Sequence, residues 1–508
     1  MAPSSPTLPS AFLTPVALPR AHASFRRRVI PPSARPLLTA PSRPRVRGPL
    51  LTASSQSAPV SAPAVSSSPS PTPLYDVVVI GAGPAGLSLA AALGERALRV
   101  FCADANLHTP WPNNYGTWLD DLEPLGLHDC VSHVWNRTSV YVRRDGQKRV
   151  LPRQYTRVDR IKLKARLLER CAESAKVTLA ADAVSSVRHE KQGLSYVQLQ
   201  DNPQQSVQQV STRLVIDATG HALKFVNVKP GKVPGVQAAY GIECIVSEKG
   251  YPYDSYEMLL MDYRDDHMLT PEDKRISLEQ PTFLYVMPLD NGKGLHVFFE
   301  ETSLVASPPM DFDLLKERLY KRLNYYGIQV EQVLEEEFCY IPMGGEKPDL
   351  DQRVIAFGGA AAFVHPATGY MIARALKRAN QTAQIIVDEL ERGGDPDDVS
   401  RRIWNSIWNE GRNRQRDFFN FGGEYLQHID LQETRDFFTA FFDLPTQQWA
   451  DFLSFRLMKP LERLVFGLGV FVRTSNRVRL SLMMDSMTKG RIPLLTSVLP
   501  LYKVDEED

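Results

Sequence analysis

A glycine-rich turn between two short apolar segments constrains the fold of this chain more than any other feature. Residues 75–80 (YDVVVI) are predicted as a strand, 81–86 (GAGPAG) as a turn, 87–97 (LSLAAALGERA) as a helix and 98–104 (LRVFCAD) as a second strand. A βαβ unit of this kind binds the phosphates of a dinucleotide at the N-terminus of its helix. The sequence therefore predicts a Rossmann-type dinucleotide-binding domain.

The residues of this unit have distinct predicted roles. Gly81 permits the tight turn, Gly83 lets the backbone approach a pyrophosphate, and Gly86 lets helix and strand lie close together. Asp104 follows, 18 residues after Gly86, where an acidic group accepts hydrogen bonds from ribose hydroxyls. Strand, turn, helix, strand and acid together favour a nucleotide site over a glycine turn with no ligand.

Two later segments also run from an apolar strand into glycines. Residues 214–220 (LVIDATG) include Asp217 and end in Gly220, and residues 354–362 (VIAFGGAAA) include Gly358 and Gly359. Strands like the first recur in flavoproteins, because small residues let a second stretch of backbone approach the dinucleotide. This favours FAD over NAD. Related flavin hydroxylases have an acidic residue for the ribityl chain where this chain has Gly359, so that contact is not expected here.

Composition sets the first 74 residues apart. They contain eight Arg, no Lys, no acidic residue and 16 of the 38 prolines, a composition that does not form a packed core. It is typical of an organelle transit peptide and lacks the apolar run of a secretory signal. A disordered tail without a targeting role is the alternative.

The remaining composition excludes several classes of function. Removing eight Arg from 59 basic residues leaves 51 against 58 acidic, a formal charge of −7, which does not indicate nucleic-acid binding. The five cysteines are scattered without metal-ligand spacing, so neither a metal nor disulfides are predicted. No stretch reaches the roughly 18 apolar residues of a membrane span.

Five motifs resemble those of the lycopene cyclase family of plants and algae. They are WPNNYG (111–116), MDYRD (261–265), FFEET (298–302), IPMGG (341–345) and VHPATGYM (364–371). Plant β-cyclases more often have Leu as the second residue of FFEET, and Trp is usual where MDYRD has Tyr263. Both departures keep the chemical type.

The resemblance implies an α/β fold with a Rossmann-type FAD-binding domain, an interleaved mixed β-sheet substrate domain and a helical C-terminal extension. The expected division is 75–225 for the first segments of the FAD/NAD(P)-binding domain, 226–345 for the substrate domain, 346–395 for the return to the FAD-binding domain, and 396–508 for the extension.

The resemblance also implies an activity, the cyclisation of lycopene in plastids. Reduced FAD would act as a non-redox cofactor, with NADPH as electron donor. FFTAFFDL (437–444) and MTKGRIPL (487–494) are similar to β-cyclase strings, whereas FFEET and DFDLLKERL (311–319) are similar to ε-type strings. The β type, which forms γ-carotene and β-carotene, is favoured over the ε type.

This reaction requires an acid, because lycopene has no heteroatom and ring closure begins with protonation of a terminal alkene. A carboxyl group does this when burial or a neighbouring charge keeps it protonated in a dry pocket. In HVFFEET, read as a strand, Glu300 and Glu301 face opposite sides. The resemblance points to Glu300 as the acid, with Glu301 as support or reserve; two acids on a solvated edge are the alternative.

The base that removes the final proton stays open among the Glu300 carboxylate, the flavin and Asp262. An ion cluster of Asp262, Arg264 and Asp265 with a structural role is the alternative for the MDYRD motif. His365 either polarises a group near the flavin or serves as a capping or packing residue.

From about residue 400 the chain is rich in aromatic residues and Arg at helical spacing, which predicts amphipathic helices. Their apolar faces belong either to a core or to a contact with the plastid membrane surface, from which an insoluble substrate is recruited. Three rival functions remain: a flavin-dependent monooxygenase or reductase acting on an isoprenoid, a non-catalytic carotenoid-binding protein, and an enzyme acting on epoxy-carotenoids. Oligomeric state is not predicted.

Overall fold

A computed structural model describes residues 74–191, 193–200, 208–290 and 294–500. The predicted transit peptide lies outside the described residues, apart from Leu74, which begins the first strand.

The described strands, in chain order, are β1 (Leu74–Ile80), β2 (Val100–Ala103), β3 (Gly116–Trp118), β4 (Val131–Trp135), β5 (Arg137–Tyr141), β6 (Arg149–Leu151), β7 (Tyr155–Val158), β8 (Val177–Ala180), β9 (Val184–His189), β10 (Ser195–Leu199), β11 (Gln209–Asp217), β12 (Gly235–Val246), β13 (Glu257–Asp262), β14 (Thr282–Asp290), β15 (Leu295–Ser303), β16 (Val330–Met343) and β17 (Val354–Ala356).

The described α-helices are α1 (Pro84–Glu95), α2 (Leu119–Leu122), α3 (Arg160–Glu173), α4 (Pro271–Glu279), α5 (Phe312–Tyr325), α6 (Ile372–Arg392), α7 (Pro396–Ile407), α8 (Glu410–Leu426), α9 (Leu431–Phe442), α10 (Thr446–Leu453), α11 (Pro460–Arg473), α12 (Asn476–Asp485) and α13 (Arg491–Val498).

The first sheet has the order β8-β2-β1-β11-β10-β9, with β17 beside β11. Strands β8, β2, β1, β11 and β17 run parallel, and β10 and β9 extend the sheet antiparallel. β2 and the second half of β1 are buried apolar runs, as expected for parallel strands covered on both faces. Helices α1, α3 and α6 pack together beside this sheet. The predicted Rossmann-type α/β fold is confirmed.

The second sheet has the order β16-β12-β15-β14-β13-β5-β6 and is mixed, because β13 and β5 pair in parallel while the other pairs are antiparallel. Helix α5 covers one face, where Leu315 and Leu319 share a buried cluster with Val297 and Phe299. Strands β5 and β6 lie within residues 75–225, predicted for the nucleotide-binding domain, yet they join this second sheet. The parallel pairing of β5 with β13 is a long-range contact that no local pattern indicates.

The predicted helical C-terminal region is present as α7 to α13. Helix α9 begins with a capping box, in which Asp430 and Glu433 each accept from the other's backbone N–H. Helices α8 to α11 bury a set of phenylalanines against the second sheet, Phe418, Phe419, Phe437, Phe438, Phe441, Phe442, Phe452 and Phe466. In the part of the chain that is described, no helix is both long and apolar enough to cross a membrane.

Candidate active site

A large cavity lies where the glycine segments of the first sheet, one face of the second sheet and the C-terminal helices meet. Its volume is about 1070 Å³, slightly above the roughly 300–1,000 Å³ that is typical of ligand pockets. Its walls include Pro84, Gly220, Gly359, Tyr285, Phe298, Glu300, Phe438, Phe441 and Phe452.

The GAGPAG turn leads from β1 into α1 at one end of this cavity. Gly81 has a φ of +109°, and a Cβ there would lie 2.6 Å from the carbonyl oxygen of Ala218. A Cβ on Gly86 would lie 1.9 Å from the carbonyl oxygen of Gly81. Both positions therefore require glycine for the fold itself. A Cβ on Gly83 would meet nothing within 4 Å, so open space lies at the N-terminus of α1.

The two other glycine segments approach this turn. A Cβ on Gly359 would lie 3.2 Å from the Cα of Gly220, and one on Gly358 would lie 2.5 Å from the Cβ of Ala85. The three segments thus form a backbone cradle with few side chains beside the N-terminus of α1. Open space before backbone N–H groups fits a pyrophosphate, so the residues present fit a dinucleotide.

The two acidic residues predicted for this site are already bound within the protein. Asp104 accepts hydrogen bonds from the backbone N–H groups of Ala82 and Asn106, both at 2.7 Å. Asp217 is fully buried and accepts from the backbone N–H groups of Thr219 at 2.8 Å and Phe225 at 2.7 Å. Asp217 therefore holds its own turn in shape and does not line the cavity.

Glu300 and Glu337 stand opposite the same residue of the second sheet. Glu300 on β15 and Glu337 on β16 both pair with Gly241 of the intervening strand β12, so the two glutamate side chains lie on the same face of the sheet, the one that borders the cavity. One carboxylate oxygen of Glu300, one of Glu337 and the Sγ atom of Cys339 all lie within 4.8 Å of one another. Because Gly241 has no side chain, the two carboxylates converge above it.

The surroundings of the two carboxylates favour a shared proton. Burial and the charge of Glu337 raise the pKa of Glu300 well above the usual range of a glutamate. Burial also raises the pKa of Glu337, which accepts hydrogen bonds from the Asn114 side chain at 2.7 Å and from its backbone N–H at 3.2 Å. Asn114 belongs to the WPNNYG motif, which thus contacts the acid site directly.

Three tyrosines form a hydrogen-bonded chain in the same cavity. The hydroxyl of Tyr285 donates to that of Tyr155 at 3.2 Å, and Tyr155 lies 3.1 Å from the hydroxyl of Tyr370. A Cβ on Gly116 would lie 2.3 Å from the Tyr285 hydroxyl. Gly116 and Tyr370 come from the WPNNYG and VHPATGYM motifs, so these motifs meet around the tyrosines.

Two of the predicted catalytic carboxylates lie elsewhere. Glu301 is fully buried on the opposite face of the sheet, where it binds Arg322 at 2.8 Å and accepts from Thr282 at 2.5 Å. Asp262 is also fully buried and forms a charged pair with Arg264 at 2.5 Å. Neither side chain lines the cavity that contains Glu300.

The three charged residues of the MDYRD motif form ion pairs. Asp265 binds Arg435 of α9 at 2.8 Å and Lys274 of α4 at 3.1 Å. The contact with Arg435 joins this motif to the C-terminal helices, whereas the pair of Asp262 and Arg264 lies within the motif. These contacts favour the structural alternative for the charged residues, and a catalytic role of Asp262 stays a prediction.

His365 is a packing residue in the structure. It is fully buried among aromatic rings of the C-terminal helices. Its Nδ1 accepts from the backbone N–H of Ala367 at 3.2 Å, so its Nε2 donates to the carbonyl of Phe452 at 3.0 Å. Burial lowers the pKa of His365 to about 3, which leaves the ring neutral.

Sequence reasoning did not identify Glu337, Gly241 or the tyrosines. Glu337 ends a run of three glutamates, Glu335 to Glu337, a pattern that usually indicates a solvated strand edge. Tyr370 and Asn114 lie in motifs that the sequence had already singled out, so a search of those motifs for polar side chains would have found them.

The parallel sheet with its glycine cradle places the chain among proteins of the Rossmann-type flavoprotein fold. The chain is similar to a geranylgeranyl bacteriochlorophyll reductase-like protein from Thermoplasma acidophilum, with a TM-score of 0.57 and 14% identity over 84% of this chain and 100% of that one. At this identity the likeness shows the fold alone.

Sequence comparison gives the family. The family model for lycopene cyclase protein matches residues 76–480. The chain is 40% identical over 441 residues to the chloroplastic lycopene beta cyclase of Solanum lycopersicum, covering 86% of this chain and 85% of the relative. It is 41% identical over 429 residues to that of Arabidopsis thaliana, covering 83% and 81%. The chain belongs to the lycopene cyclase family.

Proposed function

We propose that the protein is a lycopene β-cyclase that converts the ψ end groups of lycopene to β-rings, giving γ-carotene and β-carotene. Reduced FAD is the proposed cofactor, with NADPH as its electron donor, and plastids are the proposed location, with residues 1–74 as transit peptide. The names of the relatives support the ring type and the compartment. The observation that carries the chemistry is the position of the Glu300 carboxyl group beside Glu337 at the wall of a largely apolar cavity, where burial and the neighbouring charge raise its pKa.

Glu300 is the proposed proton donor. Its proton adds to the terminal double bond of lycopene, and the tertiary cation is attacked by a neighbouring double bond, which closes the ring. The Glu300 carboxylate left behind then removes a ring proton, so the product has the mass of the substrate. Asp262, the other protein base considered, lies outside the cavity and is paired with Arg264, which favours Glu300 for both steps.

Aromatic side chains protect the proposed cation. Phe298 flanks Glu300 on the same face of β15, and Phe438 and Phe441 face the cavity from α9. These rings exclude water, which would otherwise quench the cation, and their π faces attract positive charge.

The glycine cradle is the proposed FAD site. Gly83 offers open space before α1 for the pyrophosphate, while Gly220 and Gly359 border the cavity that contains Glu300. When bound, a reduced flavin supplies negative charge that stabilises a cationic transition state. Gly81 and Gly86 act indirectly, because they permit the turn that holds this space open.

We further propose that helices α11 to α13 contact the plastid membrane surface. These helices and the segment between α12 and α13 expose a set of apolar residues, called the apolar patch below: Leu461, Leu464, Val465, Leu468, Val472, Leu480, Met483, Met484, Met487, Ile492 and Leu495. The segment from Arg473 to Arg491, both ends included, contains five basic residues and one acidic residue. An apolar face with basic neighbours is typical of helices that lie in a membrane interface.

The apolar patch adjoins the cavity through α11. The buried face of this helix carries Phe466, whose ring stacks on that of Phe452 at 4.7 Å between centroids. Phe452 in turn lines the cavity. Two stacked rings, one on α11 and one on α10, therefore link the proposed lipid contact to the proposed substrate cavity, which suits a substrate that is recruited from lipid.

The test is expression of the chain and of a Glu300→Gln variant in lycopene-accumulating bacteria, with pigments analysed by chromatography and mass. We expect β-rings without a change of mass, and loss of these rings in the variant at unchanged flavin content. An ε-ring product would assign the other branch of the family. Gain of oxygen or hydrogen would support a redox enzyme, and untouched lycopene would favour a role on epoxy-carotenoids or in carotenoid binding.

A further inference from the structure

The closeness of Glu300 and Glu337 bears on how the proposed acid keeps its proton. The two residues lie on strands that are not neighbours, since β12 runs between β15 and β16. Their carboxylates nevertheless converge above Gly241, with a carboxylate oxygen of one within 4.8 Å of a carboxylate oxygen of the other. A Cβ at Gly241 would lie 2.7 Å from the ring of Phe298, so a side chain at this position would disturb the arrangement.

Two carboxylates this close at the wall of a largely apolar cavity do not both ionise near neutral pH, since each charge destabilises the other. The nearby arginines do not relieve this repulsion by direct contact, because Arg160 binds Glu335 at 2.6 Å and Arg157 binds Glu243 at 2.5 Å. The titratable or charged groups that surround the pair are Cys339 on β16, Tyr155 on β7, Tyr285 on β14, Tyr115 before β3 and Arg160 on α3.

The hydrogen bonds around the pair are unequal. Glu337 accepts from both the backbone and the side-chain N–H groups of Asn114, and donors of this kind stabilise a carboxylate anion. The Asn114 side chain is fixed in turn by Arg157, which donates to its Oδ1 at 3.0 Å. This arrangement favours the charge on Glu337 and the proton on Glu300.

We propose that Glu337 is a positioning residue that shares one proton with Glu300 and holds it on the catalytic acid at neutral pH. The effect on the rate of ring formation rests on the proposed cyclase function, whereas the sharing of the proton between the two carboxylates does not. It also gives the WPNNYG motif a role, because Asn114 keeps the charge on the member of the pair that does not donate.

The kinetic test compares pH profiles of ring formation by the flavin-loaded full chain in lycopene-containing vesicles. Glu337→Gln removes the neighbouring charge, so the pKa of Glu300 falls and the alkaline limb of the profile should move down by about one to two pH units. Activity should recover below the new limb. Glu337→Asp keeps the charge and should retain a limb near that of the parent.

Glu331→Gln is the matched control. Glu331 lies on the same strand β16 but is exposed and outside the cavity, so this variant should leave the profile unchanged. A limb that does not move in Glu337→Gln, or a loss of rate that is equal at every pH, would overturn the proposal.

A second readout does not depend on activity. The infrared carbonyl band of a protonated carboxyl should titrate near neutral or alkaline pH in the parent protein, and at lower pH in Glu337→Gln. By linkage, Glu300→Gln should lower the pH at which Glu337 titrates. If the parent forms no rings but shows this reciprocal shift, the proposed function fails and the proton sharing stands. If removing either carboxyl leaves the titration of the other unchanged, the proton sharing fails.

Discussion

Glu300 and Glu301 are consecutive in the chain, yet their carboxylates lie on opposite faces of the second sheet. Glu300 faces the cavity beside Glu337, whereas Glu301 is buried beneath α5 with Arg322 at 2.8 Å. One strand thus separates an acid that has a neighbouring negative charge from one that has a positive partner. The two positions should respond to substitution in different ways.

Glu301→Gln should lower stability rather than alter the chemistry. It leaves the guanidinium of Arg322, which is about 1% exposed, without its anionic partner, and breaking a buried pair costs about 3–5 kcal/mol. Urea unfolding followed by circular dichroism measures this change, with Glu331→Gln on the exposed part of β16 as the control. A stable Glu301→Gln protein that binds flavin but makes no ring would instead assign Glu301 to catalysis.

Glu300→Gln should become more stable relative to the parent as pH rises. The folded parent holds the pKa of Glu300 above its unfolded value, so the stabilising effect of its proton is present at low pH and is lost as pH rises through the raised pKa. The amide has no charge to bury. We expect the difference in unfolding free energy to grow by about 1 kcal/mol or more between neutral and alkaline pH; a pH-independent difference would contradict this.

The local parts of the fold followed from local sequence patterns. The βαβ unit was predictable because its strands, turn and helix are contiguous and its glycines have a steric reason: at Gly86, a Cβ would collide with the Gly81 carbonyl at 1.9 Å. The period of two in HVFFEET likewise separated Glu300 from Glu301. The alternation does not predict which part of the protein each face of the strand contacts.

The parts that escaped prediction are long-range. Glu337 meets Glu300 only because β16, β12 and β15 align at Gly241, and this register depends on segments about 60 and 100 residues apart in the chain. The predicted role of Asp217 as a cofactor contact remains a prediction, since its side chain is bound to its own turn. A run such as Glu335 to Glu337 gives no local sign of which residue turns inward.

Gly83→Ala and Gly86→Ala should separate cofactor binding from folding. Gly83 has a φ of −69° and open space at its Cβ position, so alanine should fold normally there but project into the proposed pyrophosphate site. We expect at least a ~10-fold loss of FAD affinity, worth about 1.4 kcal/mol, at unchanged circular dichroism. Gly86→Ala should fail to fold. Unchanged flavin content in folded Gly83→Ala would place the pyrophosphate elsewhere.

The apolar patch yields a prediction on membrane binding. Leu461 and Leu468 on α11 are 67% and 54% exposed and should enter the interface of a vesicle. The double variant Leu461→Glu with Leu468→Glu should therefore reduce the free energy of membrane binding by about 1.5–3 kcal/mol for each leucine that becomes fully buried in the lipid. We expect at least a ~10-fold fall in vesicle co-sedimentation at unchanged flavin content. The control pair is Leu269→Glu with Val333→Glu, two exposed apolar residues outside the patch, which should leave binding unchanged. Equal losses in both double variants would mean that lipid contact is not located on α11, and no loss in either would mean that the helix does not enter the bilayer.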